Sequence, residues 1–329
     1  MSDDNPLARV LVIGGAGFIG SHVVDRLLER DDTEAVTVYD NFSSGRTWHL
    51  ASHETDPRFE LIHGDVVDLE ALCKATEGHD TVVHLASNPD IARAMIEPTI
   101  DFDQGTRLTN HVVEAIRRSG GQRLLYASGS GVYGDLGDLE VEEDYGPLIP
   151  ASTYGASKLA GEALIAAYCA LFDMTGCAFR FGNVVGPHQT HGVGFDFVRR
   201  LIADPSELTI LGDGNQSKSY VHVDDIVDAL FLAARSAPRP FAVFNVATLD
   251  YVTVHEIADL AVDVLGLPAD SVRYNFTGGD RGWAGDVPVV RLSSKRIRDL
   301  GWSNARTAHE ALRASMESML LDARAGKLD

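Results

Sequence analysis

The stretch that decides the fold is Arg9-Val-Leu-Val-Ile13 followed by Gly14-Gly-Ala-Gly-Phe-Ile-Gly20. Its first part is mostly apolar and β-branched, which is typical of a strand buried in a parallel sheet. Glycines at 14, 17 and 20 permit a tight turn, close approach of a pyrophosphate to the backbone, and close packing of a helix on the strand. Phe18–Arg30 then has apolar residues at helical spacing. This order of strand, glycine turn and helix predicts a dinucleotide site.

The first half of the chain continues the alternation of strand and helix, which predicts an α/β fold with a doubly wound parallel sheet of Rossmann type. Beyond residue 182 the pattern changes to loops with short strands and helices. We therefore expect a Rossmann domain over residues 1–181 and a smaller, mixed α/β substrate domain over 182–329, with an interleaved boundary because no linker separates them. The further strands are predicted at Ala35–Asp40, Phe59–Asp65, Thr81–Ala86, Arg123–Ser128 and Ala178–Phe181, and the helices at Leu69–Thr76, Thr106–Arg118 and Tyr154–Phe172.

Composition excludes several classes of function. The net charge of -20 argues against sequence-independent binding to nucleic acid or to anionic lipid. Three unpaired cysteines indicate neither a disulfide framework nor a zinc site, and we expect no metal. No apolar run is long enough to span a bilayer and the first residues do not resemble a signal peptide, so the cytoplasm is the expected compartment.

Asp40 ends the second predicted strand about 20 residues after the glycine turn, where a carboxylate binds an adenosine ribose. A carboxylate there favours NAD over NADP because it repels a 2′-phosphate, although Arg46 is close enough in sequence to weaken the preference. Asp65 and Ser87 follow the third and fourth strands, at the edge where ligands bind such sheets. The full set of candidate cofactor residues is Gly14, Gly17, Phe18, Ile19, Gly20, Asp40, Asn41, Ser43, Gly45, Asp65, Val66, Leu85, Ala86, Ser87, Tyr154 and Lys158.

Tyr154 and Lys158 are the candidate catalytic pair. They lie four residues apart at the start of a predicted helix, and this spacing places both side chains on one face. A tyrosine with a pKa near 10 is a poor base at neutral pH. A neighbouring ammonium and a cationic nicotinamide would lower that pKa, so that Tyr154 could take a proton from a sugar hydroxyl while hydride leaves the same carbon.

These motifs together resemble the extended short-chain dehydrogenase/reductase family, specifically its NAD-dependent nucleotide-sugar epimerases of the UDP-glucose 4-epimerase-like kind. The resemblance implies a permanently held NAD, a 4-keto intermediate, return of hydride to the opposite face, and a homodimer formed through Thr106–Arg118 and Tyr154–Phe172. The matching segments span nearly the whole chain: GGAGFIGSH at 14–22, YDNFSSG at 39–45, HLAS at 84–87, VYGD at 132–135, YGASK at 154–158, RFGNVVG at 180–186, YVHVDD at 220–225 and GDRGWAGDVP at 279–288.

One departure from the family concerns catalysis. The family usually has Ser or Thr where this chain has Gly129, and that hydroxyl helps to bind the reacting group beside the tyrosine. Ser130, Ser128 or water are the candidate substitutes, with Ser130 preferred. The related dehydratases have Asp-Glu where this chain has Ser130-Gly131, which argues against dehydration.

The resemblance also implies which residues bind a UDP-sugar. Lys218 and Arg281 would hold the diphosphate, Asp286 a ribose hydroxyl, and the segment of Thr209 and Leu211 the uracil. The complete set is Ser87, Asn183, Val193, Thr209, Leu211, Lys218, Arg281 and Asp286.

The sugar itself is left open between two alternatives. A neutral UDP-hexose is favoured, because Gly186–Thr190 lacks the arginine that several UDP-glucuronate 4-epimerases carry there for the carboxylate. The uronate remains an alternative, since Thr190, Ser87 or a backbone amide could bind a carboxylate. A non-catalytic NAD-binding protein is a distant third alternative. It is motivated by Gly129 and opposed by the intact Tyr154 and Lys158.

Overall fold

The computed structural model describes residues 5–88, 91–120, 123–283 and 285–328. The strands are β1 (Arg9–Ile13), β2 (Ala35–Asp40), β3 (Phe59–His63), β4 (Thr81–His84), β5 (Arg123–Gly129), β6 (Glu140–Val141), β7 (Thr175–Phe181), β8 (Asn183–Val185), β9 (Glu207–Ile210), β10 (Ser217–Lys218), β11 (Tyr220–His222), β12 (Phe241–Val246), β13 (Val252–Thr253), β14 (Arg273–Phe276) and β15 (Arg291–Leu292). The α-helices are α1 (Phe18–Leu28), α2 (Leu69–Thr76), α3 (Arg107–Arg118), α4 (Thr153–Leu171), α5 (Val193–Ala203), α6 (Val223–Ser236), α7 (Val254–Val264), α8 (Lys295–Asp299) and α9 (Ala308–Arg324).

Within the described residues, seven parallel strands form the main sheet in the order β3-β2-β1-β4-β5-β7-β12. The direction of winding reverses between β1 and β4, and ligands of doubly wound folds bind at such a switch point. The glycine turn follows β1, Asp40 ends β2, Ser87 lies just after β4, and Gly129 ends β5. The predicted Rossmann-type fold is confirmed, and the sequence motifs meet at the carboxyl edge of its sheet.

Several strands and helices end one to three residues away from their predicted bounds. β3 ends at His63 rather than Asp65, because the Asp65 carboxylate accepts a hydrogen bond from the Val67 backbone N–H at 3.0 Å and turns the chain out of the sheet. β4 ends at His84 rather than Ala86, so Leu85 to Ser87 form the loop above the strand. β7 begins at Thr175, earlier than predicted, because β12 pairs with it from Gly176 onward.

The second half of the chain contributes to both parts of the molecule. β12 completes the edge of the main sheet, and α6 packs against α1. A smaller apolar core lies between α5, α7 and α9, where Phe197, Ile257 and Met316 are buried. Beside it the parallel pairs β8–β11 and β9–β14 carry the loops that face the carboxyl edge.

Three features of the described chain bear on membranes, metals and redox chemistry. In the part of the chain that the structure describes, no helix combines the length and apolar character needed to cross a bilayer. The same residues contain no cluster of three or more His, Cys, Asp or Glu side chains placed to hold a metal ion. Cys73, Cys169 and Cys177 are free thiols.

Candidate active site

The glycine turn forms a cradle that side chains would fill. Gly14 has a φ of +82°, and a Cβ there would lie 2.8 Å from the backbone N of Ala86. A Cβ on Gly20 would collide with the carbonyl oxygen of Gly14. Within the described part of the chain, no side chain caps the N-terminus of α1 at Gly17, so the first N–H groups of the helix remain available to a phosphate. The turn therefore fits the pyrophosphate of a dinucleotide.

Gly17→Ala and Gly20→Ala should have different effects, the first on NAD binding and the second on the stability of the fold. A Cβ on Gly17 would come no closer than 3.3 Å to protein atoms, so Gly17→Ala should fold while its methyl group obstructs the phosphate. We expect NAD affinity to fall at least about tenfold with little change in melting temperature. Gly20→Ala should lower the melting temperature itself, because backbone must move. Calorimetry and NAD titration of both variants measure this, and a destabilised Gly17→Ala would contradict it.

Asp40 anchors the turn as well as facing the cofactor site. It is 8% exposed, and its carboxylate accepts from the backbone N–H of Ala16 at 2.9 Å and of Phe42 at 2.8 Å. Burial raises the pKa of Asp40, while the two amides lower it. Each carboxylate oxygen keeps a lone pair for a ribose hydroxyl. The predicted ribose contact is compatible with this geometry.

The ends of β2 and β3 meet at the predicted adenine side. The amide of Asn41 donates to Asp65 at 3.0 Å, and the Ser43 backbone N–H donates to the Asn41 side chain at 3.0 Å. Gly45 packs against Ala16, where a Cβ would lie 2.8 Å from the Ala16 methyl group. Val66 is buried beside them at 6% exposure. The structure thus brings this group of predicted cofactor residues together.

The N-terminal turns of α4 carry the catalytic candidates. Ser152 caps the helix through its hydroxyl, which accepts from the Gly155 backbone N–H at 3.1 Å. Lys158 is 3% exposed, and its ammonium donates to the Ala127 carbonyl at 2.8 Å. The same ammonium lies 5.4 Å from the ring centre of Tyr154 and 5.2 Å from that of Tyr126. The Lys158 ammonium and the Tyr154 ring therefore lie close together on α4, and Lys158 is bonded to the carboxyl end of β5.

The electrostatics of this pair differ from the expectation that Lys158 lowers the pKa of Tyr154. Burial, and then the charge of Asp101, raise the pKa of Tyr154 to about 12, and the hydroxyl of Ser87 acts in the opposite direction. Burial also lowers the pKa of Lys158 to about 8, against the charges of Asp101 and Glu162. The protein groups together disfavour the phenolate. A cationic group bound beside the phenol, such as a nicotinamide ring, is needed to favour it.

The two serines proposed to replace the hydroxyl missing at Gly129 lie in different environments. Ser128 is buried, and its hydroxyl donates to the Glu162 carboxylate at 2.5 Å, so it is held away from the reacting groups. Ser130 begins a short 3-10 turn and its carbonyl accepts from Tyr133. Gly129 itself is extended, and a Cβ there would meet no described atom within 4 Å. Ser128 is therefore not a suitable substitute, and space for a side chain at Gly129 is open.

Sequence reasoning missed Asp101, which lies beneath the catalytic pair. Asp101 is 1% exposed and accepts from Asn88 at 2.9 Å and from Thr153 at 2.7 Å. It therefore ties α4 to the segment before α3. No motif marks it, because its partners are distant in sequence.

A buried ion pair behind the same helix was also missed. Arg180 on β7 and Glu162 on α4 are each 4% exposed and are joined by bonds of 3.0 and 2.7 Å. Arg180 also donates to Tyr133 at 2.8 Å. Glu162 continues the spacing of Tyr154 and Lys158 by one further turn, which is the one signal that could have found it.

The predicted diphosphate residues form one cluster of alternating charge. The Lys218 ammonium lies 2.7 Å from the Asp286 carboxylate. Arg281 donates to the Asp286 carbonyl at 3.2 Å and pairs with Asp135 at 2.6 Å. Asp135 belongs to the VYGD segment of the first half, so this contact joins the two halves across the carboxyl edge of the sheet.

The remaining predicted substrate residues lie around that cluster. Leu211 is 48% exposed. Its Cβ lies 3.7 Å from the position that a Cβ on Gly282 would occupy. Asn183 stands opposite Tyr220 in the β8–β11 pair. Val193 begins α5 and Thr209 is exposed on β9. The structure brings Leu211 to the cluster, and among the described residues no side-chain contact brings Thr209 there.

A stack of histidines joins the loop after β8 to the dinucleotide helix. The rings of His49 and His188 are parallel with centres 4.4 Å apart, and His22 lies 5.1 Å from His188. The Nδ1–H of His49 donates to the Ala16 carbonyl at 2.8 Å, within the glycine turn. Nδ1 of His188 lies 2.9 Å from the Ser21 hydroxyl on α1. The loop that lacks the uronate arginine thus packs on the cofactor side.

This stack should make the protein sensitive to acid. Burial, and then the charges of His49 and His22, lower the pKa of His188 to about 3. His188 therefore binds a proton below about pH 6.5 in the unfolded chain, but stays neutral in the folded chain until near pH 3. As the pH falls through this window, the free energy of unfolding decreases by at most about 1.4 kcal/mol per pH unit.

His188→Asn tests this dependence, since asparagine tolerates the positive φ of 66° at this position. Urea unfolding at several pH values should show a shallower decline for the variant than for the wild type. The exposed His255 provides the control, and His255→Asn should keep the wild-type slope. Equal slopes for His188→Asn and the wild type would refute the assignment.

The fold and this site define a dinucleotide-dependent enzyme with a tyrosine–lysine pair. A sequence profile described as the NAD dependent epimerase/dehydratase family matches residues 10–247, and the chain belongs to that family. A UDP-glucose 4-epimerase from Mycolicibacterium smegmatis is 34% identical over 316 residues, covering 94% of this chain and 97% of the relative. The predicted resemblance to this family is confirmed.

Solved structures agree with the family and the cofactor. A UDP-galactose 4-epimerase is 36% identical with a TM-score of 0.83, covering 95% of this chain and 99% of that one. DesIV, a dTDP-glucose 4,6-dehydratase from Streptomyces venezuelae solved with NAD and TYD, has a TM-score of 0.87 at 26% identity, with coverage of 95% and 97%. A UDP-glucuronic acid 4-epimerase from Bacillus cereus, solved with UDP-glucuronic acid and NAD, has a TM-score of 0.84 at 26% identity, with coverage of 94% and 98%. The predicted cofactor, NAD, is confirmed.

Proposed function

We propose that the protein is a UDP-hexose 4-epimerase that interconverts UDP-glucose and UDP-galactose through a 4-keto intermediate. The observation that carries the proposal is the pairing of the half-buried Tyr154 with the buried Lys158, which is bonded to the carboxyl end of β5, beside a glycine turn that fits a dinucleotide. The epimerases reported above, which match nearly the full length of the chain, support it.

The residues divide the chemistry as follows. NAD, held by the glycine turn and Asp40, would supply the acceptor and donor of one hydride, and its cationic ring would favour the phenolate of Tyr154. Tyr154 takes the proton of the C4 hydroxyl as the C4–H bond breaks and a ketone forms. Tyr154 then gives the proton back to the oxygen when the C4–H bond re-forms on the other face. Lys158 stays buried and oriented by the Ala127 carbonyl. No net oxidation results.

We further propose that the diphosphate is held by Lys218 and Arg281. A pyrophosphate is a stronger partner for the planar guanidinium than one carboxylate, so it would take the place of Asp135 on Arg281. Asp286, anchored to the Gly282 backbone N–H at 3.1 Å, would remain to accept from a ribose hydroxyl. Leu211, near this cluster, supports a uracil contact in its segment.

The choice of sugar rests on the loop between β8 and α5. This loop has no arginine, and His188 is packed into the histidine stack, which favours a neutral hexose over a hexuronate. UDP-glucuronate is the second candidate substrate.

A panel of UDP-sugars tests the proposal. Purified protein incubated with UDP-galactose should yield UDP-glucose without accumulation of NADH, and UDP-glucuronate should react more slowly. If UDP-glucuronate is turned over faster than UDP-galactose, UDP-glucuronate is the preferred substrate and the proposed one is wrong. Protein that holds NAD but changes none of the sugars would exclude the epimerase and favour a non-catalytic NAD-binding protein.

We also propose that the enzyme is a cytoplasmic homodimer that pairs through α3 and α4. The outer face of α4 is exposed at Ala156, Ala163, Ala167 and Leu171, which permits close packing of a second helix. Light scattering after size-exclusion chromatography should give twice the chain mass, and substitution of Ala163 by Glu should give the monomer mass.

A further inference from the structure

The resemblance to the family implies a second hydroxyl beside Tyr154, and this chain has a glycine, Gly129, at the usual position for it. Gly129 ends β5 directly below the catalytic pair, and the space that its Cβ would enter is open. Ser128 cannot supply the group because its hydroxyl is bound to Glu162. A hydroxyl must therefore come from a neighbouring strand, from Ser130, or from solvent.

Ser87 follows the neighbouring strand β4. The β4–β5 pairing joins Thr81 to Arg123 and His84 to Tyr126, and β4 ends at His84. Ser87 lies in the loop that follows, while β5 continues to Gly129. Ser87 and Gly129 therefore both lie at the carboxyl edge of the sheet, after adjacent parallel strands, where ligands bind such folds.

The Ser87 hydroxyl is both buried and uncommitted. Its oxygen is shielded from solvent and has no hydrogen bond of standard geometry within the described chain. It lies against the Tyr154 phenol, where it favours the phenolate. A buried hydroxyl without a partner is costly unless a ligand or a reacting group completes it.

We propose that Ser87 supplies the catalytic hydroxyl that this chain lacks at Gly129, donating a hydrogen bond to the Tyr154 phenolate and lying beside the reacting sugar oxygen. This assignment rests on the proposed epimerase chemistry. Ser87 neither gains nor loses a proton overall. The proton still passes between the sugar hydroxyl and Tyr154, and the hydroxyl dipole of Ser87 stabilises the charged form.

Removal and relocation of the hydroxyl test the proposal. In NAD-loaded protein acting on UDP-galactose, Ser87→Ala should lower kcat by about 10- to 100-fold with a much smaller change in KM, since one hydrogen bond to a charged group is lost. The rise of kcat with pH should also move about one unit upward. Adding Gly129→Ser to Ser87→Ala should recover most of the rate, because the new side chain enters open space.

Controls distinguish a catalytic role of the Ser87 hydroxyl from an effect of Ser87→Ala on packing or on the amount of bound NAD. Bound NAD is measured in every variant and rates are expressed per NAD. Ser119→Ala, whose hydroxyl bonds the carbonyls of Cys73 and Ala115, should match the wild type. Wild-type kcat and pH profile in Ser87→Ala would overturn the proposal. So would failure of Gly129→Ser to restore any rate, or a loss in Ser130→Ala that Ser87→Ala does not show.

A second readout does not depend on turnover. The ultraviolet absorbance of the phenolate, taken as the difference between each NAD-loaded protein and its Tyr154→Phe counterpart, reports ionisation of Tyr154. The apparent pKa of Tyr154 should rise in Ser87→Ala and return in the double variant. If wild-type protein converts no UDP-sugar, the proposed function fails while this titration still decides whether Ser87 stabilises the phenolate.

Discussion

Tyr154→Phe is expected to lower kcat for UDP-galactose by about 100- to 10,000-fold, the usual contribution of a positioned acid–base group. The variant lacks the only oxygen that the account assigns to proton transfer. The ring remains, so its contact with the Lys158 ammonium at 5.4 Å and the packing of α4 should be retained. NAD content and melting temperature should therefore stay close to the wild type.

Tyr168 offers a matched control on the same helix. Its hydroxyl lies 3.3 Å from Glu114 at the surface, so Tyr168→Phe should leave kcat unchanged. A Tyr154→Phe protein with wild-type kcat would mean that the phenol is not the base.

Glu162→Gln is expected to reduce the free energy of unfolding by about 3–5 kcal/mol, because it leaves the buried Arg180 guanidinium without its counter-charge. The side chains of Arg180 and Glu162 are 4% and 5% exposed, and the Glu162 carboxylate also accepts a hydrogen bond from the Ser128 hydroxyl. Such a loss is a large part of the stability of an ordinary domain. Urea unfolding monitored by circular dichroism measures it.

The control uses a carboxylate whose partners are exposed. The Glu114 side chain is 19% exposed and pairs with Arg117 and Arg118, whose side chains are 39% and 40% exposed. Exposed ion pairs contribute up to about 1 kcal/mol. Glu114→Gln should therefore change stability far less than Glu162→Gln. Equal effects of the two variants would show that burial does not govern the Glu162–Arg180 pair.

The motifs that lie within one strand–turn–helix unit were predictable from the sequence. Gly14, Gly17 and Gly20 have local steric reasons for being glycine, and Tyr154 and Lys158 are linked by helical spacing alone. Asp40 follows from its position at the end of a strand. The parallel, doubly wound sheet follows from the same alternation of strand and helix, whereas the order of its strands required the structure.

Residues whose roles depend on distant partners were not predictable. Asp101 acts through Asn88 and Thr153, and Arg180 reaches Tyr133 and Glu162 from another strand. The sign of the pKa shift of Tyr154 also required the structure, because burial and Asp101 outweigh the effect of the Ser87 hydroxyl. Strand alternation by itself turns both Ser128 and Ser130 away from the face of Gly129, so it does not decide between them. The exclusion of Ser128 depended on its bond to Glu162.

The central claim is that one hydride leaves C4 and returns to C4 of the same sugar, beside Tyr154. UDP-galactose deuterated at C4 tests this most directly, with the product UDP-glucose analysed by mass spectrometry and NMR. The account predicts that the product keeps its deuterium at C4 in unlabelled water with no free NADH formed. Deuterium lost to solvent, or stoichiometric NADH in place of UDP-glucose, would contradict it.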